Sequence, residues 1–464
     1  MEKYKPYLEE EKPIVELPSL LVLFLAVISV IFGLSLIVFP PLIVFLVFLA
    51  LGIGLGIILN PFVAIPVFIV GAYLYPVAFF PELAPYHPTT IFALGVLFVW
   101  VFHIILYKDF KAIKSKQIIY MFLFTVVVSI ASVFNWEYSN SAFIDFLKVL
   151  ILYFVVAHLV NTRLRISILI YMLIPFGVII SLYALYLQAR GIGRGYIEGA
   201  MRVISFEGNP NQLCLSLAML VPLLFGMFII SKSARIKIIL VSILALFSSI
   251  IILTYSRSGF LGFIVILAFT IKEFFSGRNK IALFILLAFG AWVFLLYAPP
   301  QFYERVESIV NLTEPSVAGR LDVYKVGTII MLKHPLTGVG LGLLAFMQEY
   351  FDIALTMPHI THKLMGWTHN LFLEIGAKTG VVSLVLFIFV ILYALKDLRE
   401  SKKIFREKGD KSLLIISQAI WVSIAGFLVF AMFVESLLLK TFWIFLALSA
   451  SLKHIALTYE KDVS

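Results

Sequence analysis

The sequence predicts an all-α fold, a polytopic integral membrane protein. Three observations predict it. Of 464 residues, 62% are hydrophobic and only 13% charged, with a mean hydropathy of +1.06. A soluble domain of this size still needs a charged shell. The apolar residues fall in long continuous runs, whereas a membrane β-barrel would show alternating segments of about ten residues. The Lys and Arg residues alternate between dense and sparse linkers along the chain.

Residues 1–19 are mixed in charge, carry Pro6, Pro13 and Pro18, and lack a cleavable signal pattern. They are expected to be a cytoplasmic segment, with the first span starting at Leu20. Apolar runs follow near 20–39, 42–59, 61–80, 90–107, 117–134, 142–160, 166–187, 211–230, 238–254, 258–271, 281–298, 379–395, 412–431 and 437–452. The turns at Pro40-Pro41 and Asn60-Pro61 are tight, so 12–14 transmembrane helices are expected. The predicted organisation is 20–298 as transmembrane helices with an outer loop at 188–209, a large partly helical outer loop at 299–368, C-terminal transmembrane helices over 369–456, and a cytoplasmic tail at 457–464.

With the N-terminus inside, the inner linkers 1–19, 108–116, 161–165, 231–237, 272–280, 396–411 and 453–464 hold 24 of the 36 Lys and Arg residues. Topology alone accounts for these clusters, so the net charge of +10 is no sign of a nucleic-acid partner. Nine cations fall outside against this rule, among them Arg190, Arg194, Arg202, Arg257, Arg305 and Arg320. The one cysteine, Cys214, lies in an apolar run and supports neither a disulfide framework nor a thiolate metal site.

Arg257 stands out most. It sits in TYSRSGF (254–260), a polar break between two apolar runs. From Phe260 to Ile271 only 12 residues precede Lys272, about 18 Å of helix against a hydrocarbon core of roughly 30 Å. Arg257 is therefore expected below the membrane surface, where a guanidinium is expensive and able to meet the anionic part of a lipid. The plain alternative is a snorkelling arginine at a helix end.

Three more elements share the outer side. SFEGNPN (205–211), preceded by Arg202, leads into a span with a helix-start pattern, which capping alone would explain. Residues 320–333 read as an amphipathic helix stopped by Pro335 and followed by the glycine-rich turn of HPLTGVGLG (334–342). Those glycines lack the strand–turn–helix context of a nucleotide loop. HNLFLEIGAKTG (369–380) opens the next span, and His369 is either an interfacial helix-start histidine or a base. A straight helix from His369 to Leu395 would measure about 39 Å. A break at Gly376 or Gly380 would bring His369 back toward the depth of Arg257. His359, His362 and His369, with Glu349 and Asp352, offer a rival cation site. There is no Asp-x-Asp and no HExxH helix.

Taken together, 202–380 resembles the O-antigen ligase/polymerase superfamily of membrane glycosyltransferases, most closely over 319–380. The resemblance implies transfer of a glycan from a polyprenyl (undecaprenyl-type) diphosphate carrier to an acceptor hydroxyl at the outer face of the bacterial inner membrane, with both termini cytoplasmic. It implies no cofactor and no metal. By motif position Arg257 and Arg320 match the family's essential arginines and His369 its essential histidine. The arginine fork suits a diphosphate, and His369 would be the general base. Arg202, Asn370, Glu374 and Glu207 are supporting substrate-binding candidates, Glu374 as a residue that could orient His369. The acceptor is lipid A–core in a ligase, a second carrier-linked glycan in a polymerase, or a protein hydroxyl in an O-oligosaccharyltransferase. A transporter or flippase would want charged residues at mid-membrane on several helices. Here only Asp145 and Lys148 lie mid-span, three apart and able to pair.

Overall fold

The computed structural model describes residues 60–74, 87–108, 113–193, 196–197, 200–275 apart from Glu207, 315–360 and 367–459, with isolated positions elsewhere. The expected spans at 20–39, 42–59 and 281–298, and Arg194, Glu207, Arg305 and His362, lie outside the described residues. The chain divides into two units, Met1–Val63 and Ala64–Ser464. The first contributes a short 3-10 turn at Pro61–Val63. The second holds the helical bundle and all four motifs.

Its described helices are α1 (Ala64–Leu74), α2 (Pro88–Tyr107), α3 (Gln117–Phe134), α4 (Trp136–Leu159), α5 (Arg163–Ala189), α6 (Pro210–Ile230), α7 (Ala234–Leu253), α8 (Arg257–Phe274), α9 (Pro315–Lys333), α10 (Leu343–Thr356), α11 (Leu371–Thr379), α12 (Val381–Glu407), α13 (Lys411–Ala431) and α14 (Lys440–Thr458). The only strands among the described residues are a two-residue ribbon, β1 (Tyr196–Ile197) and β2 (Ala200–Met201), in the loop before α6. The protein is thus all-α. Nine described helices are long and apolar enough to cross a membrane: α2 to α7 and α12 to α14. The 18-residue α8 carries Arg257, Lys272 and Glu273 at its ends.

α13 is the centre of the bundle, packed on α6, α8, α12 and α14. The helices α6 and α8 run antiparallel to it. Met219 of α6 accepts a 2.7 Å hydrogen bond from Ser423, while Gly226 faces Ile415. Gly262 of α8 faces Phe430, and Gly426 of α13 faces Ile266. As one number rises the other falls, so α6 and α8 both begin where α13 ends. The close approach uses glycine: a Cβ on Gly262 or Gly426 would overlap the opposite side chain.

The two ends of the bundle differ. At one end Lys402 pairs with Glu273 at 2.5 Å, Arg163 with Asp410 at 3.3 Å, and Lys453 with Glu400. Ser115 donates to Asp397 at 2.5 Å, and the Lys114 amide to His454 at 3.2 Å. Five of the linkers expected inside, 108–116, 161–165, 272–280, 396–411 and 453–464, therefore meet at this basic end. The motifs gather at the other. Lys148 pairs with Asp145 at 2.8 Å, so the mid-span charges satisfy each other.

At the motif end α9 and α10 pack on α11 through a small core that includes Val323, Val326, Ile330, Phe346, Tyr350 and Leu373. The expected amphipathic helix 320–333 is the C-terminal part of α9, which starts earlier, at Pro315. It ends at Lys333 as the sequence predicts.

Candidate functional site

Of the helices that begin at the motif end, three begin in one of the sequence motifs. Asn209 caps α6, its side chain accepting from the Asn211 amide at 2.9 Å. Ser256 caps α8, its hydroxyl accepting from the Gly259 amide at 3.0 Å. Asn370 caps α11, accepting from Phe372 at 2.9 Å and Leu373 at 3.0 Å. The plain capping role is real at all three, because the first amides of a helix have no partner within it. The same geometry leaves three positive helix ends at one end of the bundle, an arrangement suited to an anion.

Two residues just before these starts hold left-handed backbone: Tyr255 at φ 48° and His369 at φ 49°. Such conformations cost of order 1–3 kcal/mol in a non-glycine residue and gather at functional sites. Each reverses the chain so that the next residue opens a helix.

Arg257 is the first residue of α8 and is 9% exposed. Gly259 lies against Cys214, with no room for a Cβ, which clamps the first turn of α8 onto α6. The antiparallel register with α13 puts Arg257 level with the segment beyond Met432. Arg202 ties the first two motifs together. Its Nε donates to the Thr254 carbonyl at 2.8 Å and its Nη2 to the Asn211 side chain at 2.9 Å. The Val203 amide donates to the Leu253 carbonyl at 3.2 Å. Both arginine bonds go to neutral oxygens, so neither cancels its charge.

Arg320 and Tyr324 lie one turn apart on α9 and share a face. The Tyr324 hydroxyl is shared between the His369 carbonyl at 3.2 Å and the Met432 carbonyl at 3.0 Å. Asn370 Nδ2 also donates to Met432, at 3.1 Å. The C-cap carbonyl of α13 thus binds α9 and the His369 turn in one knot. The Arg320 charge reaches the imidazole of His369. Burial chiefly, and Arg320 next, push its pKa down to about 4, with Glu435 opposing them. At neutral pH the ring is uncharged, and one nitrogen keeps the lone pair a base requires.

The glycine-rich turn is a brace. Val339 and Gly340 amides donate to the Ala377 and Lys378 carbonyls at 3.1 and 2.9 Å, satisfying the end of α11. The Val381 amide donates to Pro335 at 2.7 Å. Gly338 has φ 60°, and a Cβ there would collide with the Lys378 backbone. Gly380 has φ 91° and separates α11 from α12. The expected break is therefore at Gly380, while Gly376 sits inside α11 against Met331.

Glu374 turns to the Leu437 amide at 3.4 Å and to Lys378 at 3.7 Å, and no hydrogen bond among the described residues joins it to His369. Lys378 also pairs with Glu435. Glu435 was not legible as a site residue. Its only signal is a lone acid in the short linker between two spans. Glu349 of the rival cation set is engaged by Lys333 at 2.5 Å and His334 at 3.3 Å. Among the described residues no three of His, Cys, Asp and Glu form a metal cluster.

This geometry defines a class, a multi-pass membrane protein whose arginine-bearing helix starts and partly buried histidine lie at one end of the bundle. A family model described as O-Antigen ligase matches residues 240–388, so this segment is similar to that family. The match contains Arg257, Arg320, His369, Asn370 and Glu374, and leaves out Arg202 and Glu435. No curated protein matches the chain.

Proposed function

We propose that the protein is a membrane glycosyltransferase of the O-antigen ligase type. It moves a glycan from a polyprenyl diphosphate carrier to an acceptor hydroxyl, with lipid A–core as the acceptor. The observation that carries this reading is the meeting of three helix starts, Arg257, Arg320 and neutral His369 at one end of the bundle. The first two motifs are joined by Arg202 and Gly259, and the third is tied to α9 and α13 through Tyr324 and Met432.

The acceptor oxygen attacks the anomeric carbon from the face opposite the diphosphate, so the configuration inverts. The bond from that carbon to the diphosphate oxygen breaks, and the diphosphate leaves with the electron pair. Arg257 and Arg320 bind the phosphate oxygens where this charge grows, an effect worth most in a water-poor site. His369 takes the acceptor's proton. Arg202 and Asn370 hold the two arginine- and histidine-bearing turns in place. The motif end faces the periplasm and the basic end the cytoplasm, in keeping with the Lys and Arg distribution.

A polymerase would use the same chemistry with a carrier-linked acceptor. The test uses protein in nanodiscs with a diphosphate-linked oligosaccharide donor and EDTA, with and without lipid A–core. Product only with lipid A–core supports the ligase. A ladder of longer carrier-linked glycans from donor alone would replace it with the polymerase. No product on several donors would overturn the reading in favour of a protein acceptor or transport.

A further inference from the structure

We propose that Glu435 is the counter-charge of His369: its carboxylate, held beside the His369–Asn370 turn, stabilises the imidazolium formed when His369 takes the acceptor's proton. The role rests on the transfer reaction proposed above. The placement of the carboxylate does not.

Glu435 lies in the linker between α13 and α14, beyond the family match. That linker is fastened to the 369–374 turn on both sides of Glu435. Upstream, Met432 accepts from Asn370 and Tyr324. Downstream, the Leu437 amide donates to Glu374, whose own amide donates to the Asn370 carbonyl at 2.8 Å. One carboxylate oxygen, Oε1, pairs with Lys378. The other, Oε2, is buried, and Glu374 shares a side-chain hydrogen bond with the Glu435 carboxylate, which holds that carboxylate between α11 and the linker.

The charged groups that reach His369 are Arg320 from α9 and Glu435 from the linker. The Tyr324 hydroxyl bonds the His369 carbonyl, while Glu374 and Lys378 lie further along α11 and turn to the linker. Burial and the Glu435 charge hold the Glu374 carboxyl well above the usual range. Burial works against the Lys378 charge, but Glu435 and Glu374 outweigh it and raise its pKa. The Glu435 carboxylate is the group that favours imidazolium at His369, against burial and Arg320.

The proton balance is simple. The acceptor O–H bond breaks, its electron pair forms the new glycosidic bond, and the proton goes to the imidazole. Nothing is oxidised or reduced.

The test titrates His369 by NMR in full-length protein carrying 13C-histidine, with its signal assigned by loss in His369→Gln. In Glu435→Gln the titration should move to lower pH by roughly one unit, the size of effect a near charge exerts. Glu435→Asp should return most of it. The double variant Lys378→Gln/Glu435→Gln removes both members of the ion pair and carries the same expectation, should the single variant fail to fold. A titration unmoved in both would overturn the proposal. In the transfer assay Glu435→Gln should lower kcat about tenfold at pH 7, as expected of a weaker base, with donor KM little changed. A shifted titration with unchanged kcat would also overturn the catalytic role. If the wild type transfers nothing, the glycosyltransferase reading fails, while the titration still decides where Glu435 acts.

Discussion

At the scale of single residues, the proposed site joins fixed cations to a histidine that burial keeps uncharged. Arg257→Ala and Arg320→Ala should each lower kcat/KM for transfer about 10²–10³-fold, the usual effect of losing one donor aimed at developing charge. Lysine at either place should recover little, because a point charge does not reproduce a planar fork. Near-wild-type rates in properly inserted variants would sink the assignment. His369 gives a prediction with a sign. Its folded pKa lies near 4, below the ordinary 6.5, so the active neutral form persists as pH falls through 6.5. Transfer should hold there and decline only toward pH 4, which a rate profile on a soluble-headgroup donor would check. A decline centred at 6.5 would mean that the ring is solvated. The sequence made Arg257, Arg320 and His369 legible because each breaks an expectation: charge against the topology rule, or polarity at a span's start. Glu435 breaks none loudly. Its meaning comes from Lys378 and Leu437, which are far from it in sequence or silent in type.

At the scale of elements, the motifs turn out to be helix starts and the braces that hold them. Gly380→Ala should destabilise the fold by more than about 1 kcal/mol, since alanine is strained at positive φ and its Cβ would meet the Leu336 carbonyl. A lower melting temperature in detergent, with transfer lost in proportion, is the expected result. An unchanged melt would mean that the brace relaxes freely. Arg202→Ala should likewise lower stability together with rate, because it removes the tie from Thr254 to Asn211. A loss of donor affinity alone would restore it to the phosphate-binding set. Element boundaries were readable where apolar runs meet polar residues, as at Gln117–Phe134, which ends at Asn135. They were less so at α8. There Arg257 and Lys272 look like limits, yet the helix begins on the first and continues past the second to Phe274. A charged residue ends an apolar run without ending the hydrogen-bond ladder. The brace formed by 334–342 was unreadable as such, because its partners are backbone carbonyls of α11.

For the whole molecule, the sorting of charges fixes two unlike ends. With Cys214 replaced by serine, a cysteine at the exposed Leu336 should react with a membrane-impermeant maleimide on intact cells. One at Lys408, on the basic end, should react only after permeabilisation. The reverse pattern would invert the proposed orientation. The grouping of inner linkers was legible because positive residues follow topology. What was not legible is which ends meet. That depends on the antiparallel stacking of α6 and α8 on α13, set by Gly262, Gly426 and the Ser423–Met219 bond.

The hinge at Gly380 has a mechanical consequence. α12 packs on α3, α13 and α14, so it would lean with that bundle as bilayer thickness changes, the ordinary response of spans to mismatch. The nine-residue α11 is held by the turn at 334–342 and by Met432, so it need not lean with α12. His369 would then keep its place at the motif end in thin and thick membranes alike. An enzyme whose His369 rode on one straight rod would lose its alignment with every ångström of lipid added.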